Sequence, residues 1–110
     1  IFLTKFLLDL NKPPTAIICS LDKFFIGCLQ ECKNRNLVVG KNISVVGYND
    51  HDNYLSSQNL TTISHPLSSM GQESVQILKN IERGAKPNNQ AKLIEPILHE
   101  GTSDSRLKKT

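Results

Sequence analysis

The sequence predicts a layered α/β fold, a three-layer α/β/α sandwich around a mostly parallel sheet. Short, continuously apolar runs alternate with longer segments of helical periodicity, and strand, helix and strand follow one another within about thirty residues. The apolar bulk comes from Leu, Ile and Val, since aromatic residues make up 5% of the chain and Trp is absent. With 110 residues and 38% hydrophobic content, the chain can close one core, so a single domain is expected.

Residues 2–10 place apolar side chains at positions 2, 3, 6, 7, 8 and 10, a helical spacing that the Asn11 to Pro14 stretch ends. Residues 15–19 (TAIIC) form a continuous apolar run, the pattern of a strand buried on both faces of a parallel sheet. Asp22 then suits the N-cap of a helix running to about Arg35, because its carboxylate can accept the free amide hydrogens of the first turn. That helix sets Phe25, Cys28, Leu29 and Cys32 on one face. Asn36 stands where the helix needs a left-handed residue to stop.

After a loop over residues 38–42, residues 43–47 (ISVVG) make the second buried strand, and the resulting βαβ crossover should be right-handed. Residues 60–64 (LTTIS) read as a third parallel strand, broken by His65-Pro66. A helix over residues 67–83 follows, with Leu67, Met70, Gly71, Ser74, Val75, Leu78 and Ile81 as its inner stripe and Gly84 and Pro87 as its stop. Residues 92–94 and 97–100, either side of Pro96, read as short extended pieces, either edge strands or the crossover back towards a neighbour outside the chain.

The formal charge of +3 is modest, and its basic residues are scattered among acids except for Arg106, Lys108 and Lys109 near the end. Such a distribution makes no case for direct nucleic-acid contact. Cys19, Cys28 and Cys32 cannot all pair, which suits a reducing compartment. The apolar opening is interrupted by Lys5 and Asp9 and is too short to span a membrane.

In an open parallel sheet the ligand crevice lies beyond the carboxyl ends of the strands. That rule selects Ser20-Leu21-Asp22, Tyr48-Asn49-Asp50 and His65-Pro66, whose polar groups suit the hydroxyls of a small polar ligand. The same residues also serve plain structural ends, a helix cap at Asp22 and a turn at Asn49-Asp50. No Gly-x-Ser-x-Gly elbow, Gly-x-Gly-x-x-Gly loop, phosphate-binding loop or His-Glu-x-x-His helix is present, and His65 has no evident nucleophile to serve. Cys28 and Cys32, four apart on a helix, would need two further ligands to hold zinc, and the His residues are scattered at 51, 65 and 99. Neither metal nor cofactor is expected, and the cysteines are read as core packing.

The order of segments PTAIICSLDKFFIGCLQECKNRNLVVGKNISVVGYND and LTTISHPLSSMGQESVQILKNI, including ISVVGYND, LTTI and Met70-Gly71, resembles the C-terminal part of the effector-binding domain of LacI/GalR-type transcription repressors. The resemblance implies that residues 1–110 are one lobe of a periplasmic-binding-protein-like domain. The other lobe and the operator-reading helix-turn-helix would then lie outside the chain. It implies a cytoplasmic homodimer without membrane contact, sensing a sugar, sugar phosphate or nucleobase-like effector, with operator DNA bound only through that helix-turn-helix. The alternative is a sugar-binding protein of a transporter, which shares the fold.

Carried over by position, the effector contacts fall on Leu21, where Asn is usual, and Asn49, where Asp is usual; Asp22, Asp50 and His65 complete the expected site. Leu21 replaces a bidentate polar group with apolar surface, which points to an effector less hydroxylated than a plain hexose, or to a phosphosugar or co-repressor protein instead. By the same resemblance, Phe24 and Ile26, with the loop after Asp52, lie at the dimer interface. Asn36 stands where Gly is usual, and the usual Arg of the late strand is missing around Glu100-Gly101.

Overall fold

A computed structural model of the chain describes residues 1–49, 54–86 and 92–106. The elements in chain order are α1 (Phe2–Leu8), β1 (Ala16–Ile18), α2 (Asp22–Asn34), β2 (Ser44–Tyr48), α3 (Tyr54–Ser57), β3 (Thr62–Ser64), α4 (Leu67–Glu82) and β4 (Ile97–His99). The strands form one sheet in the order β1-β2-β3-β4, parallel except for the antiparallel β3–β4 pair. All three expected parallel strands are present, each within a residue or two of its expected bounds. Residues 92–94 form no strand, and Pro87 lies outside the described residues.

Local chemistry explains the helix ends. α2 stops in a left-handed turn at Asn36 (φ 56°), where the Asn36 N–H donates to the Lys33 carbonyl at 3.1 Å and the Leu37 N–H to the Cys32 carbonyl at 2.9 Å. These paired bonds satisfy carbonyls that the last turn leaves free. α3, absent from the periodicity, ends the same way at Asn59 (φ 57°), and α4 does so at Gly84 (φ 97°). Replacing Asn36 by Ala should cost about 1 kcal/mol, whereas Asn36→Gly should leave stability equal or higher. Denaturant midpoints of the two variants check this; an equal loss in both would show that backbone conformation is not what Asn36 supplies.

The start of α2 departs from expectation. Leu21, extended at φ −140° and ψ 149°, occupies the N-cap position, and no side chain caps the helix. Asp22 is instead the first helical residue, and its carboxylate accepts the Lys23 N–H at 2.8 Å. A carboxylate in the first turn still complements the positive end of the helix dipole. At the other end, Arg35 reaches Glu31 at 2.8 Å and Asp9 at 2.9 Å, tying the exit of α1 to the exit of α2.

One face of the sheet carries the core. Ile17 and Val45 are register partners on that face, and Phe25, Cys28, Cys32 and Leu55 pack over it from α2 and α3. The opposite face presents Ile18, 79% exposed, beside its partner Val46, with Tyr48 and Leu98 also exposed. α4 buries none of its residues, so its expected inner stripe, including Leu67, Met70, Val75 and Leu78, is open to solvent. A Cβ on Gly71 would meet nothing within 4 Å.

β4 returns the chain to the sheet, and residues 101–105 then lie against β2 and the entry to β3. The Val45 N–H donates to the Ser103 carbonyl at 2.8 Å, and the Ser103 hydroxyl donates to the Val45 carbonyl at 2.6 Å. The Ser103 hydroxyl also accepts the Thr61 N–H at 2.9 Å, and the Thr102 N–H donates to the Asn59 carbonyl at 2.8 Å. Buried backbone groups at the start of β3 are thereby satisfied by the end of the chain.

Candidate functional site

Three chain segments leave the carboxyl edge of the sheet. Beyond β1, the Cys19 N–H donates to the Val46 carbonyl at 2.8 Å, extending the parallel ladder by one residue before the chain turns out through Ser20 and Leu21. Register pairs Ile18 with Val46. Leu21 and Asn49 each come three residues after this pair, past the carboxyl ends of neighbouring strands. The Leu21 carbonyl receives the Phe24 and Phe25 N–H groups, at 3.0 and 3.1 Å, while its side chain remains 39% exposed.

Asn49 is held in a left-handed conformation (φ 63°), and its N–H donates to the Ile63 carbonyl at 2.8 Å. Asn tolerates this backbone better than most side chains. Asn49 is half-buried, and among the described residues its side-chain amide has no hydrogen-bond partner, leaving both a donor and an acceptor free. Beyond β3, half-buried His65 meets Tyr48 edge to face, with ring centroids 5.2 Å apart and planes at 86°. Such a pair fixes both rings at the rim. Asp22 is half-buried beside Leu21, and Asp50 lies outside the described residues.

The structure also pairs side chains here that the sequence left apart. The Ser64 hydroxyl and His99 Nε2 are 2.8 Å apart, because antiparallel β4 runs back along β3. No spacing along the chain signals this contact; it follows from the direction of the return strand.

Beneath the edge, Cys19, Cys28 and Cys32 are free and buried. The hydrogen bond between Cys19 and Cys28, then burial, push the Cys19 thiol up, while the same hydrogen bond lowers Cys28 to about 6. Burial, then the adjacent Cys28, raises Cys32 to about 11. Cys28 is 1% exposed and so lies out of reach of a ligand at the rim. Among the described residues no group of three or more His, Cys, Asp or Glu side chains is placed to hold a metal ion, and no helix is long and apolar enough to cross a membrane.

On the outer side of α2, Phe24 and Ile26 are exposed. Ile26 borders a cavity of 200 Å³ between α2 and α3 that also touches Leu29, Tyr54 and Leu60. The loop after Asp52 lies outside the described residues.

Residues 3–103 match the family of periplasmic binding protein-like domains. The chain is similar to the HTH-type transcriptional repressor CytR of Escherichia coli (strain K12), 31% identical over 90 residues, which are 81% of this chain and 26% of that protein. It is also similar to the HTH-type transcriptional repressor PurR of Glaesserella parasuis serovar 5 (strain SH0165), 35% identical over 92 residues, 83% of this chain and 26% of that one. The solved Lac repressor dimer bound to operator and the anti-inducer ONPF superposes with a TM-score of 0.77 at 28% identity, covering 94% of this chain and 36% of that chain. The chain thus spans about a quarter of the length of these curated relatives.

Proposed function

Because the chain belongs to the periplasmic-binding-protein-like effector domains of LacI-family transcription regulators, we propose that residues 1–110 are the C-terminal lobe of such a domain. In this role the carboxyl edge of the sheet grips one side of a small polar effector, and occupancy controls operator binding by a cytoplasmic regulator. The strand order supports this assignment: it sets Leu21 and Asn49 past the carboxyl ends of neighbouring strands, and the Asn49 side-chain amide has no partner among the described residues. Asp22, Asp50 and His65 complete the proposed contact set. The function is binding rather than catalysis.

The remaining length of such a regulator supplies what covers the open sheet face and the α4 stripe, since apolar faces of this kind gain about 25 cal/mol per Å² when removed from water. Phe24 and Ile26 are proposed to lie at a homodimer interface. The similarity to the repressors CytR and PurR favours a regulator over a transporter's sugar-binding protein.

A free amide can donate to one hydroxyl and accept from another, whereas Leu21 offers apolar contact where a polar group would have bound a further hydroxyl. Asn49→Ala in the intact regulator should weaken effector binding by about 0.5–3 kcal/mol, and Leu21→Asn should shift preference towards more hydroxylated sugars. Thermal-shift screening against sugars, sugar phosphates, nucleobases and nucleosides identifies the effector. Effector-dependent operator release by the parent and both variants then tests the site. An unchanged response in folded Asn49→Ala would remove Asn49 from it.

A further inference from the structure

At the opposite, amino edge of the sheet, a cavity of 320 Å³ is lined by Thr15, Lys41, Asn42, Ser44 and Arg106, among others. Among the described residues no carboxylate lines it. Elsewhere Arg35 is paired with Asp9 and Glu31, and Lys92 with Glu73, but Lys41 and Arg106 have no acidic partner among the described residues. Each cation follows a backbone position held by contacts across the fold. Lys41 follows Gly40, whose left-handed backbone (φ 83°) is packed so closely against Thr102 that a Cβ there would come within 2.0 Å of its carbonyl oxygen. Arg106 follows Ser105, whose N–H donates to the Ser44 hydroxyl at 3.0 Å while its carbonyl accepts from the same hydroxyl at 3.2 Å. The Asn42 side-chain oxygen accepts the Val38 N–H at 2.8 Å, which leaves its amide N–H groups as donors.

A second cavity of 450 Å³ shares Thr15, Asn42 and Ile43 with the first and adds Leu8, Pro13, Pro14 and Leu37, with Arg35, already ion-paired to Asp9 and Glu31, also in its lining. The two cavities adjoin at Thr15, Asn42 and Ile43, the first carrying the unpaired cations and the second mainly apolar side chains. We propose that this amino edge is a second binding site, for a small phosphate monoester with an apolar body. The dianion would sit between Lys41 and Arg106 and the apolar body against Pro13 and Leu37. Two cations balance a dianion, and charge-assisted hydrogen bonds to phosphate are stronger than neutral ones. The site is independent of the proposed effector edge and shares no residue with it.

Isothermal titration of the protein with phenyl phosphate, inorganic phosphate and phenol tests the assignment, with amide NMR shifts to locate the ligand. Phenyl phosphate should bind about tenfold more tightly than either half-ligand, and Lys41→Gln and Arg106→Gln should each weaken it about tenfold. Both residues are exposed, so the variants should fold. Shifts should cluster at Thr15, Asn42 and Ile43. Equal affinity for phenol, no loss in either variant, or shifts confined to Leu21 and Asn49 would overturn the proposal.

Discussion

Replacing Phe25 by Ala is expected to lower the unfolding free energy by about 3–5 kcal/mol, the range for removing a large aromatic side chain from a closed core. Phe25 is fully buried and projects from α2 onto the core face of the sheet. Its ring lies against Gly47, where an added Cβ would stand 3.0 Å from Phe25 Cδ2 and 2.6 Å from Leu55 Cδ1. The packing is therefore close on both sides, and neighbours anchored in β2 and α3 have little room to collapse into the vacated volume. Phe25→Leu, which keeps most of the apolar surface, should cost less than half as much. Urea unfolding of both variants in the intact protein measures the difference. A loss below about 1 kcal/mol for Phe25→Ala would show that α2 does not close the core as described.

Gly101→Ala is expected to be nearly as damaging although it adds only a methyl group. A Cβ at this position would lie 2.2 Å from the Asn59 carbonyl oxygen and 2.6 Å from the backbone carbons of Asn59 and Leu60. The obstacles are backbone atoms and cannot rotate away. Relief requires the chain to lift off, which strips the Thr102 N–H from the Asn59 carbonyl, the Gly101 N–H from Thr61 Oγ1 and the Ser103 hydroxyl from the buried Thr61 N–H. Strain of about 1–3 kcal/mol and a buried donor left unsatisfied at similar cost together predict a loss on the order of 3 kcal/mol. Hydrogen exchange at the Thr61 and Val45 amides gives a direct check. Their protection should fall in the variant, whereas unchanged protection would show that residues 101–105 do not hold β3 in place.

The gap between sequence and structure at the candidate edge has a simple form. Leu21, Asn49 and His65 were selectable because each follows a short apolar run, and an apolar run followed by polar residues marks the end of a buried strand. Nothing in those runs states which strands are neighbours. The register pairing Ile18 with Val46, and Tyr48 with Ile63, makes three sequence ends into one edge. Asp22 shows the opposite error: its residue type suits a cap, but the backbone enters the helix one residue earlier and puts Leu21 there instead.

By itself the sequence determined β1 to β3, the long helices and the left-handed stop at Asn36, all written in periodicity and capping over a few neighbouring residues. It also carried the side-chain chemistry offered at Leu21 and Asn49, since residue identity needs no fold to be read. Only the tertiary structure decided that the chain returns antiparallel as β4, that Ser64 meets His99, and that one sheet face and the α4 stripe stay open. The physical reason is range. Ser103 bonds Val45 across 58 residues of chain, and a contact of that separation is set by the closure of the whole fold rather than by local preference.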